Sequence, residues 1–205
     1  LEPSGLEACL KEMEARIGWM PIEKFEHDHS RNRCYEIRAN WALYVDNYLE
    51  GFHIPFVHND LNRALDYDDY RTEIFDGGVL QIGIARDGEP NFEIPEDSPD
   101  SGLKVAAYYY WIYPGLMLNF YPWGLSVNLV LPLSVDRTRI EYYGFVWDKK
   151  FLGKGAGGDL DKVEEEDQFV VESTHRGVSS VSYERGRYSP SKEIGVHHFH
   201  QMLTS

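Results

Sequence analysis

The chain has 205 residues, with 20 Lys and Arg against 34 Asp and Glu for a formal charge of −14, 42% hydrophobic residues and two cysteines. Its basic residues are scattered singly among acids, which argues against nucleic acid and against docking on an anionic membrane surface, and the distant pair Cys9 and Cys34 makes neither a disulfide framework nor an iron–sulfur ligand set. The length suits one domain with a sizeable core, and the lack of a long apolar run or an export signal points to a soluble, cytoplasmic protein, its first residues (Leu1-Glu2-Pro3) reading as the cut end of a longer chain.

Leu6, Leu10, Met13 and Ile17 form one stripe of a short amphipathic helix over 6–17. Residues 34–38 read as a strand. From Trp41 the period becomes helical through Trp41, Tyr44, Val45, Tyr48, Leu49 and Phe52, with Asn40 placed as N-cap. Gly51 to Pro55 should break that helix, because Pro55 removes a donor and pushes Ile54 out of the α region. The polar stretch 59–69 is a loop or short helix. A hairpin follows over 70–85 around Asp76-Gly77-Gly78, then a long loop over 86–104.

Strong strand signals occupy 105–113, 116–121, 126–131 and 139–147. Four glycines within 153–158 interrupt the chain without the order of a phosphate-binding loop. A long helix over 159–180 opens with Asp161, Glu164, Glu165, Glu166 and Asp167, acids that suit the positive end of a helix dipole and taken alone read as a solvated face. After the Gly186 to Pro190 turn, a last helix covers 191–203. Five or six antiparallel strands in a run, flanked by helices, predict an α+β fold.

His53 and His58 stand five residues apart, and on a straight helix they would point about 140° from each other. Only a break between Gly51 and Pro55 lets them share a ligand, and two imidazoles alone suit zinc, iron, copper or nothing. The chain also holds 5 Trp, 14 Tyr and 10 Phe, enough to line a cavity as well as fill a sheet.

Asn40-Trp41, Asp46-Asn47-Tyr48, Glu50, His53 and His58 together resemble a signature of the α subunits of Rieske-type non-haem iron ring-hydroxylating oxygenases, in their C-terminal catalytic domain. Downstream support comes from Glu166-Asp167, Glu172, Arg176-Gly177, Gly186-Arg187-Tyr188, Glu193 and His197-His198-Phe199-His200. The resemblance implies a helix-grip (Bet v1-like) fold, a curved antiparallel sheet wrapped around the long C-terminal helix. It also implies a mononuclear Fe(II) held by His53, His58 and Asp167, with open positions for O2. Glu50 matches the family's carboxylate bridging to a Rieske cluster on a neighbouring subunit, and Asn47 matches a polar residue beside the iron. Asp46 reads as solvent-facing or capping a turn.

The resemblance further implies a Rieske domain and a ferredoxin or reductase as electron donors, and a homotrimer in the intact protein. The Cys-x-His and Cys-x-x-His ligands of a 2Fe-2S cluster are missing from this chain, so residues 1–205 read as a single catalytic domain, with 1–30 as a linker and helix following an absent Rieske domain.

Within the family, the segment Asn119 to Leu133 and the C-terminal Gly-Arg-Tyr-Ser-Pro with its histidines are similar to the choline monooxygenase-like branch. The activity implied is hydroxylation or oxidative demethylation of a small organic substrate. Aromatic faces would cage a trimethylammonium group or line an apolar pocket. The other readings are a non-catalytic hydrophobic-ligand-binding domain of the same fold and a zinc hydrolase with the same ligands. His175 is a candidate to approach the pocket, His197, His198 and His200 read as packing residues, and His27 and His29 as exposed.

Overall fold

The structure, a computed structural model, describes residues 3–204; Leu1 and Glu2 of the segment read above as a cut end lie outside the described residues. Chain order is α1 (Pro3–Ile17), β1 (Glu26–His27), β2 (Arg33–Ile37), α2 (Trp41–Leu49), α3 (Ile54–Val57), α4 (Asn59–Ala64), β3 (Leu65–Phe75) and β4 (Gly78–Ala85). Then follow β5 (Val105–Ile112), β6 (Leu116–Tyr121), β7 (Gly124–Ser134), β8 (Arg137–Val146), α5 (Leu160–Val178) and α6 (Ile194–Thr204).

One antiparallel sheet runs β1-β8-β7-β6-β5-β4-β3. The expected run of strands is six, β3 to β8, and two upstream segments extend it: β1 and β2 both pair with β8 and so form two parts of one edge. Successive side chains alternate between faces. On the concave face Val79, Trp111, Met117, Val130, Ile140 and Tyr142 pack with Tyr44, Val45 and Leu49 of α2, Val171 of α5, and Val196 and Phe199 of α6. This is the helix-grip arrangement, an α+β fold in which the curved sheet holds the long helix.

The convex face is covered by α1. Cys9, Met13, Ile17 and Met20 pack against Leu80, Ile82, Ile84, Tyr108, Tyr110 and Phe120, which is why β4 and β5 are buried along their whole length. The apolar stripe is therefore rotated from the expected one: Cys9, Met13 and Ile17 face inward, while Leu6 and Leu10 are about half exposed (48% each). Cys9 belongs to the core rather than being only a free thiol, and Cys34 is exposed. Gln81, Asn119, Ser126 and Asn128 are buried polar residues in the inward-facing register of their strands, and they line or approach a cavity between sheet and helices.

Further local differences have simple causes. Strand β3 starts at Leu65, five residues earlier than Tyr70, because a bulge between Asp66 and Arg71 absorbs its polar start. Helix α2 ends at Leu49, so Phe52 falls outside it and is half exposed. Pro55 does not terminate a helix but sits in the first turn of α3, where the missing N–H costs nothing. Gly157 is required by close approach: a Cβ there would lie 2.4 Å from Trp123 Nε1 and 2.8 Å from the Tyr121 ring, and its carbonyl accepts from Trp123 Nε1 at 3.1 Å. No helix among the described residues is long and apolar enough to cross a membrane.

Helix α1 is fastened by charge as well as by apolar burial. Arg16 donates to both oxygens of Asp100 (2.6 and 2.7 Å) and to both of Glu73 (3.0 and 2.9 Å), and Tyr108 Oη also donates to Asp100. Asp100 is 2% exposed. Replacing Arg16 by Ala leaves that buried carboxylate with one neutral donor, and urea unfolding should show a loss of about 3 kcal/mol. A loss below about 1 kcal/mol would mean that the pair is screened like a surface bridge.

Candidate metal centre

Asn40 caps α2 by accepting from Ala42 N at 3.0 Å, and the helix then presents Asn47 and the chain leading to Glu50 at one end of the cavity. His53 and His58 flank the single turn of α3. His53 immediately precedes it, and His58 leaves helical geometry (φ −98°, ψ 76°) before α4. This break turns both rings to one side, as the spacing required. Asp167 arrives from the second turn of α5, more than a hundred residues downstream.

The three side chains meet at their tips. His53 Nε2 and His58 Nε2 lie 3.0 Å apart, His58 Nε2 is 3.0 Å from Asp167 Oδ1, and His53 Nε2 is 3.3 Å from the same oxygen. The opposite ring nitrogens are taken by carboxylates: His53 Nδ1 by Glu50 Oε1 at 2.5 Å, His58 Nδ1 by Glu166 Oε2 at 2.8 Å. With both Nδ1–H groups donated outward, two imidazole lone pairs and a carboxylate oxygen converge, an arrangement that calls for a cation. The three donors are close enough to share one ion, and a set of two histidines and one carboxylate would hold a mononuclear iron with positions left open.

The surrounding contacts sort the remaining candidates. Asn47 Nδ2 donates to Asp167 Oδ1 at 2.7 Å. Glu50 Oε2 accepts from Phe52 N at 2.5 Å and His53 N at 3.2 Å, so this carboxylate fixes both the ring and the backbone of His53. Of the acids opening α5, Asp161 and Glu165 are exposed, whereas Glu166 holds His58 and Glu164 meets Tyr44 and Tyr142 in the cavity wall. Asp46 borders the outer groove, 23% exposed, and is also paired. It accepts from His200 Nε2 at 2.8 Å, and His200 Nδ1 meets Tyr188 Oη at 2.5 Å, which ties α2 to α6 and to the 186–190 turn. His175 lies away from the cavity, where its Nδ1 accepts from Asn40 N at 3.4 Å. His27 and His29 are exposed as expected.

Glu166 and the buried Gln81, Asn119 and Asn128 are site residues to which the motifs give no individual role. The first stands beside Asp167 with no distinguishing pattern. The other three are legible as polar residues in the inward period of apolar strands. The cavity opens to solvent, and Tyr44, Tyr48, Tyr70, Tyr109 and Tyr121 form much of its wall.

Residues 22–205 match the profile of the family described as "Ring hydroxylating alpha subunit (catalytic domain)". The chain belongs to that family. As a ring-hydroxylating α-subunit catalytic domain it is 36% identical over 180 residues to the chloroplastic choline monooxygenase of Arabidopsis thaliana, covering 83% of this chain and 40% of that protein. It is 29% identical over 177 residues to the carnitine monooxygenase oxygenase subunit of Escherichia coli K12, covering 80% and 46%. The chain thus spans less than half the length of these curated relatives. In fold it is similar to a quaternary ammonium Rieske monooxygenase crystallised with L-carnitine (TM-score 0.70, 20% identity, 98% of this chain and 53% of that one). Dicamba monooxygenase shares the fold at TM-score 0.59 and 16% identity, over 91% of this chain and 59% of that one.

Protons and a metal compete for the centre. Burial disfavours the His53 imidazolium, but hydrogen bonds to Asp167 and Glu50 outweigh it and raise the ring to about 9. Burial would raise Asp167, and the hydrogen bonds from His53 and His58 bring it down to about 2 instead. His53 therefore contributes stability to the metal-free protein that is complete below pH 6.5 and lost as pH rises through about 9. Asp167 contributes above pH 3.8 and fails only as pH falls through about 2. A cation on His53 Nε2 must displace the proton, so its affinity rises over the same window. The melting-temperature gap between Fe(II)-loaded and metal-free protein, measured anaerobically, should widen from pH 6.5 to about pH 8.5; a constant gap would contradict the linkage. Glu166→Gln should weaken Fe(II) binding by about 10- to 100-fold with the fold intact by circular dichroism.

Proposed function

We propose that this chain is the iron-holding catalytic domain of an oxygenase that hydroxylates or oxidatively demethylates a small quaternary ammonium compound, using O2 and electrons supplied from outside the domain. The observation that carries this reading is the convergence of His53 Nε2, His58 Nε2 and Asp167 Oδ1 at spacings of 3.0–3.3 Å. These atoms would hold Fe(II), which when bound supplies the centre that takes up O2 and electrons.

The chain's own residues have separable tasks. Glu50 and Glu166 fix the tautomer and orientation of the two imidazoles. Asn47 donates to Asp167 Oδ1 and fixes the orientation of that carboxylate. The tyrosine wall offers aromatic surface to a trimethylammonium head. Choline and carnitine, after which these relatives are named, share that head, and this supports the same class here.

Glu50 also borders a wide outer groove lined by Phe52, Tyr183, Arg187 and Tyr188, so one carboxylate faces both the metal ligand and the surface. This supports electron entry past Glu50 from a Rieske 2Fe-2S domain of a neighbouring subunit, reduced by a ferredoxin or reductase, and hence a homotrimeric intact protein. The free thiols Cys9 and Cys34 suit a reducing, cytoplasmic compartment.

The test is stoichiometry followed by turnover. Protein loaded anaerobically should bind about one Fe(II), and His53→Ala and Asp167→Ala should each lose it by at least about tenfold in affinity. With a Rieske domain and reductase added, oxygen uptake should depend on a quaternary ammonium compound. Iron binding unchanged in either variant would remove that ligand from the reading, and hydrolytic turnover without an electron donor would replace it with zinc hydrolysis.

A further inference from the structure

The cavity wall carries one carboxylate that neither holds the metal nor orients its ligands. Glu164 lies three residues before Asp167, so it faces the same interior from the preceding turn of α5. The hydroxyls of Tyr44 and Tyr142 both donate to Glu164 Oε2, the first at 2.8 Å, and the two hydroxyls stand 2.5 Å from each other. They fix the carboxylate against rotation, and Oε1 receives no hydrogen bond from the described residues. Burial, with the charge of Asp167 next, raises the Glu164 carboxyl to about 8, and the hydrogen bonds from Tyr142 and Tyr44 and the charge of His58 offset this only in part.

Two more features bear on what would compensate it. The lining contains no Lys and no Arg. A trimethylammonium head carries no N–H, so it needs a negative oxygen and π faces rather than a hydrogen-bond acceptor in a fixed direction; Glu164 beside Tyr44 and Tyr48 offers both. On the sheet side, Gln81 is 1% exposed and spends its Nε2 on Tyr48 O at 2.7 Å, while its Oε1 is buried without a partner. That oxygen can only accept, so it fits a ligand hydroxyl and repels a ligand carboxylate.

We infer that Glu164 is the specificity-determining residue of this cavity: it receives the cationic head of the substrate, and together with Gln81 Oε1 and the absence of a basic side chain it selects an ammonium alcohol over ammonium carboxylates. The inference rests on the quaternary ammonium reading above and adds to it which members of that class are admitted. A zwitterion whose cationic head meets Glu164 would have to bury its carboxylate in a wall that offers the Gln81 acceptor and no Lys or Arg.

Calorimetry on the Fe(II)-loaded protein, kept anaerobic so that no turnover occurs, tests this with four compounds. These are choline, its neutral isostere in which a tert-butyl group replaces the trimethylammonium, carnitine and glycine betaine. Wild-type protein should bind choline at least about tenfold more tightly than the isostere and than either carboxylate. Glu164→Gln keeps an acceptor for both tyrosines; it should lower choline affinity by about tenfold or more, with isostere affinity and iron stoichiometry unchanged. Equal binding of choline and the carboxylates, or a choline-to-isostere ratio that Glu164→Gln does not move, overturns the inference and leaves the quaternary ammonium reading standing. If none of the charged compounds binds, that reading falls and the inference with it. The wild-type comparison decides the matter by itself should the variant not fold.

Discussion

Two imidazoles and a carboxylate oxygen pointing at one another from within a largely apolar cavity cannot be left without a positive charge between them. Every neighbouring group follows from that constraint. Glu50 and Glu166 occupy the outer ring nitrogens of His53 and His58, so the inner nitrogens present lone pairs. Asn47 holds Asp167 Oδ1 in place. Without a metal the cluster balances itself by holding a proton on His53, which is why that ring titrates so high and Asp167 so low. A metal and a proton are alternative answers to the same electrostatic demand.

The fold supplies this cluster from two places far apart in sequence and rigid in space. The α2–α3 break puts both histidines on one side of a single helical turn, and α5 delivers Asp167 because Val171 on the same helix is packed into the concave face of the sheet. The sheet contributes the remaining wall by simple alternation: Gln81, Tyr109, Asn119, Tyr121 and Asn128 share the inward register while their neighbours pack under α1. Close approach at Gly157 lets the loop before α5 lie flat against Tyr121 and Trp123, so that helix starts where its acids reach the cavity.

Much of this was legible from local chemistry. The strands announce themselves by aromatic and β-branched runs, Asn40 by its capping position, and the shared histidine site by a breaker between two imidazoles that a straight helix would separate. The readings that failed needed a partner to decide them. Leu6 and Leu10 are as apolar as Met13 and Ile17, and only the position of the sheet selects the Cys9–Met13–Ile17 face for burial. Asp46 looks like a surface acid until α6 brings His200 to it. Glu164, Glu165 and Glu166 are near-identical side chains in consecutive positions, and their fates diverge because 100° of rotation per residue sends them to a tyrosine pair, to solvent and to His58.

By itself the sequence determined the period of each element, the break that lets His53 and His58 meet, and through the pattern from Asn40 to His58 the family to which they belong. Tertiary structure brings to them the Asp167 that the resemblance singles out, and it alone decided which carboxylates hold their far nitrogens and which stands apart in the wall with two tyrosines. The reason is that periodicity is a property of neighbouring residues, whereas the charge state and role of a carboxylate depend on burial and on groups brought to it from more than a hundred residues away.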